Sequence, residues 1–214
     1  MRALFYKQLR LVCHPMTLVF TLFGLMLLIP NYPYTVAYFY VTLGIFFMMM
    51  NGREQRDADF TAILPVRKRD AVYVTVLFSA AVELASLVLS VPFAALSVHI
   101  NPGGGNAVGL DPNAALIGAA LLMYAVFNAV FFISFYRTGY KVGMSFFKGL
   151  LAMLPVMLIG EALPHFPGLA WLNDTTAAGN LRQLPILLIG AVIFAAGLWL
   201  TCRCAAARYE KVDL

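Results

Sequence analysis

The sequence predicts an all-α polytopic membrane protein, with one domain over residues 1–214 and six transmembrane helices. Of its 214 residues, 62% are hydrophobic and 12% are charged, whereas soluble domains average about 45–50% apolar and about 25% charged residues. The apolar residues form continuous runs. A membrane barrel would alternate polar and apolar residues along each strand, so the spans are predicted to be helices, which satisfy their own backbone hydrogen bonds in lipid.

Six apolar runs are candidates for membrane spans. They cover residues of about 16–30, 34–50, 71–98, 114–136, 149–163 and 185–202. The first, second and fifth are short against the roughly 20 residues that a spanning helix needs. We therefore expect them to cross nearly upright or to extend into their flanks. Pro92 and Pro155 are expected to kink or locally break the third and fifth spans.

The basic residues sort almost completely to one side of a six-helix arrangement. Fourteen of the fifteen lie before the first span, between the second and third, between the fourth and fifth, or after the sixth, and only Arg182 falls on the other side. Because short cytoplasmic loops are enriched in Lys and Arg, both termini are predicted to be cytoplasmic. Five or seven spans would place one terminal basic cluster outside.

Three segments outside the spans have their own character. Residues 1–12 mix apolar and basic side chains, which predicts an amphipathic helix on the inner membrane surface. Residues 101–113 are rich in Gly, Pro and Asn and are predicted to form a flexible exposed loop. Residues 164–185, with Trp171, are predicted to hold an interfacial or re-entrant helix.

One face of the third span is polar. At 100° per residue, six of its side chains fall within an arc of about 80°: Thr75, Ser79, Glu83, Ser86, Ser90 and Ser97. Because a charged carboxylate inside a membrane costs about 2.5–3.5 kcal/mol, this face should meet protein or water. Two interpretations stay open. The stripe lines a translocation path, or it packs helices through serine hydrogen bonds, with a protonated Glu83 bonding Asn128 or Tyr124.

No catalytic motif is present in the sequence. It contains no G-x-x-x-x-G-K-[ST], no H-E-x-x-H and no G-x-S-x-G. We therefore expect no catalytic residues, no metal site and no cofactor in this chain. The net charge of +5 follows from membrane topology and does not indicate a nucleic-acid partner.

Residues 51–70 hold nine of the 25 charged residues. An apolar patch with the i, i+3, i+4 spacing of a helix face lies among them: Phe60, Ile63 and Leu64. Pro65 should end the helix near residue 64, and Asp70 is predicted to cap the third span. The pattern predicts a short amphipathic cytoplasmic helix.

This segment carries a recognisable pattern, N-x-x-E-x-x-D-x-x-x-x-x-x-L-P-V-x-[KR]-x-x-x-V. The matching residues are Asn51, Glu54, Asp57, Leu64, Pro65, Val66, Lys68 and Val72. The pattern resembles the segment after the second helix of ABC-2 type exporter permeases, in particular the small six-helix group that includes exporters of lantibiotics and phenol-soluble modulins. Residues 135–143 and 208–214 are also similar to that family.

The resemblance implies a function for the segment. Residues 51–70 would form a coupling helix that docks on a separate ABC ATPase subunit, which binds ATP and Mg²⁺. The implied docking residues are Asn51, Glu54, Asp57, Phe60, Ile63, Leu64 and Pro65. Two permease copies, forming a homodimer, would assemble with two ATPases in the cytoplasmic membrane of a bacterium. The complex would export an amphipathic peptide, a lipid or a drug-like substrate.

Two other functions stay open at this point. The chain could be a non-transporting membrane sensor or assembly protein with a permease-like fold, or a proton-coupled secondary transporter that uses Glu83. The absence of an obvious internal repeat counts against the secondary transporter. For residues 51–70, the alternative to ATPase docking is a helix that lies on the membrane.

Overall fold

A computed structural model describes residues 2–101, 106–138 and 141–211, and all regular secondary structure in these ranges is helical. The helices are α1 (Arg2–Lys7, continued by a π-helical turn over Gln8–Val12), α2 (Pro15–Thr21, continued by a 3-10 helix over Leu22–Leu28), α3 (Thr35–Glu54), α4 (Asp57–Ile63), α5 (Lys68–Ile100), α6 (Ala114–Arg137), α7 (Val142–Ala162) and α8 (Ala177–Tyr209). Short 3-10 turns cover Leu163–His165 and Ala170–Asn173.

Five helices, α3 and α5 to α8, are long and apolar enough to cross a membrane. A bent pair, Arg2–Val12 with Pro15–Leu28, gives a sixth candidate if it is counted as one span. The all-α polytopic membrane class is therefore confirmed. The short predicted spans extend into their flanks, since α3 and α7 each add several residues beyond the apolar runs.

The segment Pro15–Leu28, which corresponds to the first predicted span, gains length in a different way. Its 14 residues would rise about 21 Å as an α-helix. Because Leu22–Leu28 is a 3-10 helix, which rises about 2.0 Å per residue, the span reaches about 25 Å. It is bent by 98° from α1. His14 has extended backbone, as expected of a residue before proline, and its side chain accepts a hydrogen bond from the Met16 N–H at 3.1 Å.

The α5 and α7 helices run without interruption through Pro92 and Pro155. Of the two predicted effects, a kink or a local break, the break is therefore wrong. Proline removes one backbone N–H, and neighbouring groups in a membrane bundle can satisfy the carbonyl that is left.

The α6 helix is central to the bundle and packs most extensively against α8, then α7. Glycines allow the closest approach, because a Cβ added to Gly190 would lie 2.6 Å from the Gly118 carbonyl oxygen. Small residues are what permit such contact between membrane helices. On another side of α6, the aromatic rings of Phe127, Phe131 and Phe135 stack in sequence. In contrast, α7 and α8 leave most of their apolar surface exposed.

The end of the bundle that is opposite the four basic clusters is closed by side-chain hydrogen bonds to backbone. We call it the amide-rich end. Glu161 accepts from the N–H groups of Thr35 and Leu110, both at 2.8 Å. Gln183 accepts from the Ala115 N–H at 3.2 Å and donates to three carbonyls, those of Trp171, Leu172 and Asp174.

The structure changes two predictions about this end. Residues 106–113 do not form an exposed loop, since Asn106, Asp111 and Asn113 are buried and hydrogen-bonded, while 102–105 lie outside the described residues. Residues 164–185 were predicted to hold an interfacial or re-entrant helix. In the structure they form two short 3-10 turns, one of which includes Trp171, and the start of α8, so the re-entrant form is not present. One constraint explains the structure of both segments. Buried backbone groups need hydrogen-bond partners, and Asn and Gln side chains supply them here.

Candidate functional site

The charged segment makes a compact helical hairpin at the basic end of the bundle. After α3 ends, Arg56 adopts a left-handed conformation (φ 52°), and α4 begins at Asp57. Leu64 is extended, so the helix ends before Pro65 as predicted. Asp70 does not cap α5, because Arg67 occupies the N-cap position. Asp70 lies in the first turn, where its charge is favourable to the helix dipole.

The outward face of α4 is apolar and exposed. Ile63 is 84% exposed and Phe60 is 46% exposed, whereas Leu64 is half-buried. Between this hairpin and α1 lies a groove of about 880 Å³, which we call the basic-end groove. Its lining is Ala3, Leu4, Tyr6, Lys7, Arg10, Leu11, Phe60, Leu64, Pro65, Val66, Arg67 and Asp70.

An ion pair joins α4 to α1. The Lys7 Nζ lies 2.7 Å from the Asp57 Oδ1, and the two side chains are only 10% and 21% exposed. The same ammonium group donates to the Thr61 hydroxyl at 2.7 Å. That hydroxyl in turn donates to the Asp57 carbonyl at 2.6 Å. The contacts fix the position of the short α4 helix, which is too short to be stable by itself.

A second connection ties α3 to the end of α1. The Asn51 side chain donates to the carbonyls of Leu11 and Val12 at 3.1 and 3.0 Å. Next to it, Gly52 leaves room for Val12, because a Cβ there would lie 3.0 Å from the Val12 Cγ1. These carbonyls lie where α1 ends, so they need partners outside the helix.

The predicted docking residues therefore fall into two groups. The polar groups of Asn51 and Asp57 face inward and bind α1. Glu54, Phe60, Ile63 and Pro65 are exposed, and Leu64 lines the groove. The sequence pattern did not reveal Lys7 and Thr61 as their partners. The signal was weak, since Lys7 is separated from Asp57 by fifty residues and reads as one of many topology-setting cations.

The polar stripe of α5 faces protein and not lipid, as predicted. All six of its side chains are buried, and Ser79, Glu83, Ser86 and Ser90 are at most 1% exposed. The stripe meets polar groups on α3 and α6. We call these contacts the polar seam, formed by Tyr38, Glu83, Ser86, Ser90, Tyr124 and Asn128.

Three hydrogen bonds cross the polar seam. Ser90 and Tyr38 are 3.0 Å apart, and Ser86 and Tyr124 are 3.1 Å apart. Asn128 Nδ2 donates to Glu83 Oε2 at 2.7 Å, which is one of the two partners that the sequence suggested. In this conformation the seam packs helices. The prediction that it lines a translocation path is not tested by these contacts.

Metal-type clusters are not seen in the described ranges, where no group of three or more His, Cys, Asp or Glu side chains could hold an ion. The polar groups around α4 and those of the polar seam instead contact other groups of the same chain. The α4 region therefore offers an exposed apolar surface, and the polar seam offers buried hydrogen bonds between helices.

Comparison with known families assigns the class. A family model described as ABC-2 family transporter protein matches residues 3–202. The chain belongs to this family. As an ABC-2 family protein it is a membrane component of the kind that generally works with an ABC ATPase partner. The match runs from α1 into α8, so it includes both the basic-end groove and the polar seam. The comparisons with curated proteins and with solved structures gave no match.

Proposed function

We propose that this chain is the membrane-spanning subunit of an ATP-driven ABC exporter. It moves an amphipathic peptide, a lipid or a drug-like substrate outward by alternating access. The energy comes from a separate ATPase subunit, which binds ATP and Mg²⁺. The proposed location is the cytoplasmic membrane of a bacterium, with both termini in the cytoplasm. The family match and the one-sided distribution of the basic residues support this function.

The observation that carries the proposal is the exposed apolar face of α4 beside the basic-end groove. Ile63 is 84% exposed on a helix that α1 holds in place through Lys7 and Asp57. A fixed apolar anchor next to a groove is a suitable site for a partner protein. Arg10 and Arg67 line the groove, so the proposed ATPase surface is acidic, and these charges orient docking more than they add affinity.

The contacts of α4 suggest how ATPase closure reaches the membrane. A force on α4 is passed to α1 by the Lys7–Asp57 pair and to α3 by the direct chain connection. Asn51 joins α3 to α1 a second time. The short segment from Leu64 to Arg67 leads directly into α5. Movement of α4 would therefore be passed directly to α1, α3 and α5, the three helices to which it is joined.

The proposed assembly contains two permease copies, as a homodimer, and two ATPase subunits. The subgroup proposed for it is the small six-helix permeases that export lantibiotics and phenol-soluble modulins, which suits an amphipathic peptide substrate. The mass of the purified complex, measured by light scattering, tests this stoichiometry. A single permease copy in the active complex contradicts the homodimer.

The docking proposal is tested with Ile63→Asp in a complex with the ATPase that is encoded beside this chain's gene. Because Ile63 is exposed, the permease should fold normally. Burying an isoleucine contributes about 1.5–3 kcal/mol, so ATPase affinity should fall about tenfold or more, and transport should be lost with it.

The matched control is Phe166→Asp. Phe166 is 58% exposed and lies beyond α7, away from the basic end. This variant should leave ATPase binding unchanged. Unchanged affinity and transport in Ile63→Asp would contradict docking on α4. Failure of every neighbouring ATPase to co-purify with the unmodified chain would contradict the exporter function itself.

A further inference from the structure

The Glu83 carboxyl lies near the midpoint of α5, in the membrane-spanning part of the bundle. Both Glu83 and its partner Asn128 are 0% exposed. Asn128 Nδ2 donates to Glu83 Oε2 at 2.7 Å. Within the described ranges, the Glu83 carboxyl forms no ion pair. The pair is therefore isolated from compensating charge and from solvent.

Each member of this pair has one buried oxygen without a hydrogen-bond partner among the described residues. These atoms are Glu83 Oε1 and Asn128 Oδ1. An ionised carboxylate and an amide oxygen are both acceptors, so neither can satisfy the other. Buried polar atoms almost always have a partner. Two such exceptions in one side-chain pair require an explanation.

The nearby hydroxyl hydrogens are already used elsewhere. Ser86 donates its hydrogen to the Glu83 backbone carbonyl at 2.7 Å, so the Tyr124 hydroxyl is the donor in its contact with Ser86. Ser90 and Tyr38 repeat this arrangement one turn further along α5. Among the hydroxyl groups of the polar seam, none has a hydrogen left for Glu83.

We propose that Glu83 binds a proton and forms a neutral acid–amide pair with Asn128. The proton, taken from water, forms an O–H bond at Oε1. This O–H donates to Asn128 Oδ1, while Asn128 Nδ2 donates to Glu83 Oε2. One hydrogen gives both unpartnered atoms a partner. It also removes the negative charge, which is unfavourable inside a membrane. This proton-binding site does not depend on the exporter function.

The pair joins α5, which carries Glu83, to α6, which carries Asn128. The α5 and α6 backbones approach each other closely at few points, since α6 packs mainly on α8 and α7. Side chains of the polar seam bridge the gap. Among titratable groups, Tyr124 interacts electrostatically with Glu83, and Tyr38 lies beside Tyr124, with ring centroids 6.3 Å apart. Separation of α5 and α6 would break both bonds and expose the carboxyl to water, where it loses its proton. Closure then requires proton uptake.

Infrared difference spectroscopy of the full chain in lipid vesicles tests the proton directly. At near-neutral pH, the spectrum of the unmodified chain minus that of Glu83→Gln should show the C=O band of a protonated carboxylic acid, above the amide I absorption. In Asn128→Leu this band should shift to higher frequency, because the hydrogen bonds to the acid are lost. Absence of the acid band, or an unshifted band in Asn128→Leu, would overturn the proposal.

Thermal unfolding of the variants gives a second test. In Glu83→Gln, the new amide nitrogen can donate to Asn128 Oδ1 while the amide oxygen accepts from Asn128. This variant therefore keeps both bonds and should unfold close to the temperature of the unmodified chain. The control Glu83→Leu loses both bonds and should unfold at a clearly lower temperature. An equal loss in Glu83→Gln and Glu83→Leu would show that the charged form matters, and it would contradict the neutral pair.

Discussion

The two ends of the helical bundle use their polar side chains differently. At the amide-rich end, Glu161, Asn173 and Gln183 bind backbone groups of neighbouring segments and close the surface. At the basic end, the anchoring contacts between α1 and the hairpin include one ion pair and the two Asn51 hydrogen bonds. The same end leaves apolar side chains such as Ile63 exposed.

This difference indicates different mechanical roles. Buried backbone groups that are satisfied by fixed side chains hold an end in one arrangement, because opening it would leave many donors and acceptors unpaired. A short helix held by few contacts, with an apolar face outward, is suited to bind a partner and to move with it. An ATPase that docks on α4 would therefore act on the more weakly held end of the bundle.

The largest expected effect is a loss of stability at the amide-rich end, in the variant Glu161→Leu. This change leaves the N–H groups of Thr35 and Leu110 without their acceptor. Charge-assisted hydrogen bonds contribute about 1.5–3 kcal/mol each, so the loss of two should lower the free energy of unfolding by about 3–6 kcal/mol. The measurement is thermal or denaturant unfolding of the purified chain in detergent.

The control for this change is Glu161→Gln, which keeps one acceptor oxygen. It should lose about half as much stability as Glu161→Leu. If Glu161→Leu were no less stable than the unmodified chain, the amide-rich end would not be the rigid one, and the comparison of the two ends would fail.

A smaller and more local effect is expected from the ion pair at the basic end. Lys7→Met removes the partner of Asp57 and the donor to Thr61. Because the pair is partly exposed, a cost of about 1–2 kcal/mol is expected. Hydrogen exchange should become faster in α1 and α4 and stay unchanged in α6 and α8.

Asp57→Asn and the double variant complete this test. If the two side chains act through each other, the double variant should be less destabilised than the sum of the single ones. Additive effects would show that Lys7 and Asp57 stabilise the hairpin independently. Faster exchange throughout the chain would show that the basic end is not a separate mobile unit.

The sequence predicted the helical class and the approximate spans, because long apolar runs leave few alternatives in a membrane. It also predicted the end of α4, since Pro65 restricts the preceding residue. The inward turn of the Asp57 carboxylate was not predicted. Its partner, Lys7, lies fifty residues away, and a single sequence gives no signal for such a contact.

The amide-rich end was mispredicted for a related reason. Gly, Pro and Asn between residues 101 and 113 are typical of exposed loops, but the same amides can also bind backbone. Asn106, for example, donates to the carbonyls of Tyr32 and Leu110. Composition does not distinguish an amide that meets water from one that meets a carbonyl of a distant segment.

The smallest expected effect is a pH dependence of stability at the amide-rich end, which comes from Asp111. Burial raises the pKa of the Asp111 carboxyl above its ordinary value of 3.8, against the opposing effect of the hydrogen bond from the Asn106 N–H. The folded chain therefore keeps this proton to higher pH than the unfolded chain. The resulting stability is complete below about pH 3.8. It declines as the pH rises to the folded pKa and is constant beyond it.

The variant Asp111→Asn isolates this contribution. Asparagine can still accept the Asn106 N–H, but it does not titrate. The unfolding temperature of the unmodified chain minus that of Asp111→Asn, measured from acid to neutral pH, should fall with rising pH and then level off. A difference that rises with pH would mean that the hydrogen bond outweighs burial at this carboxyl. The amide-rich end would then stabilise Asp111 as an anion. The contribution of Asp111 to stability would rise with pH, whereas we expect it to fall.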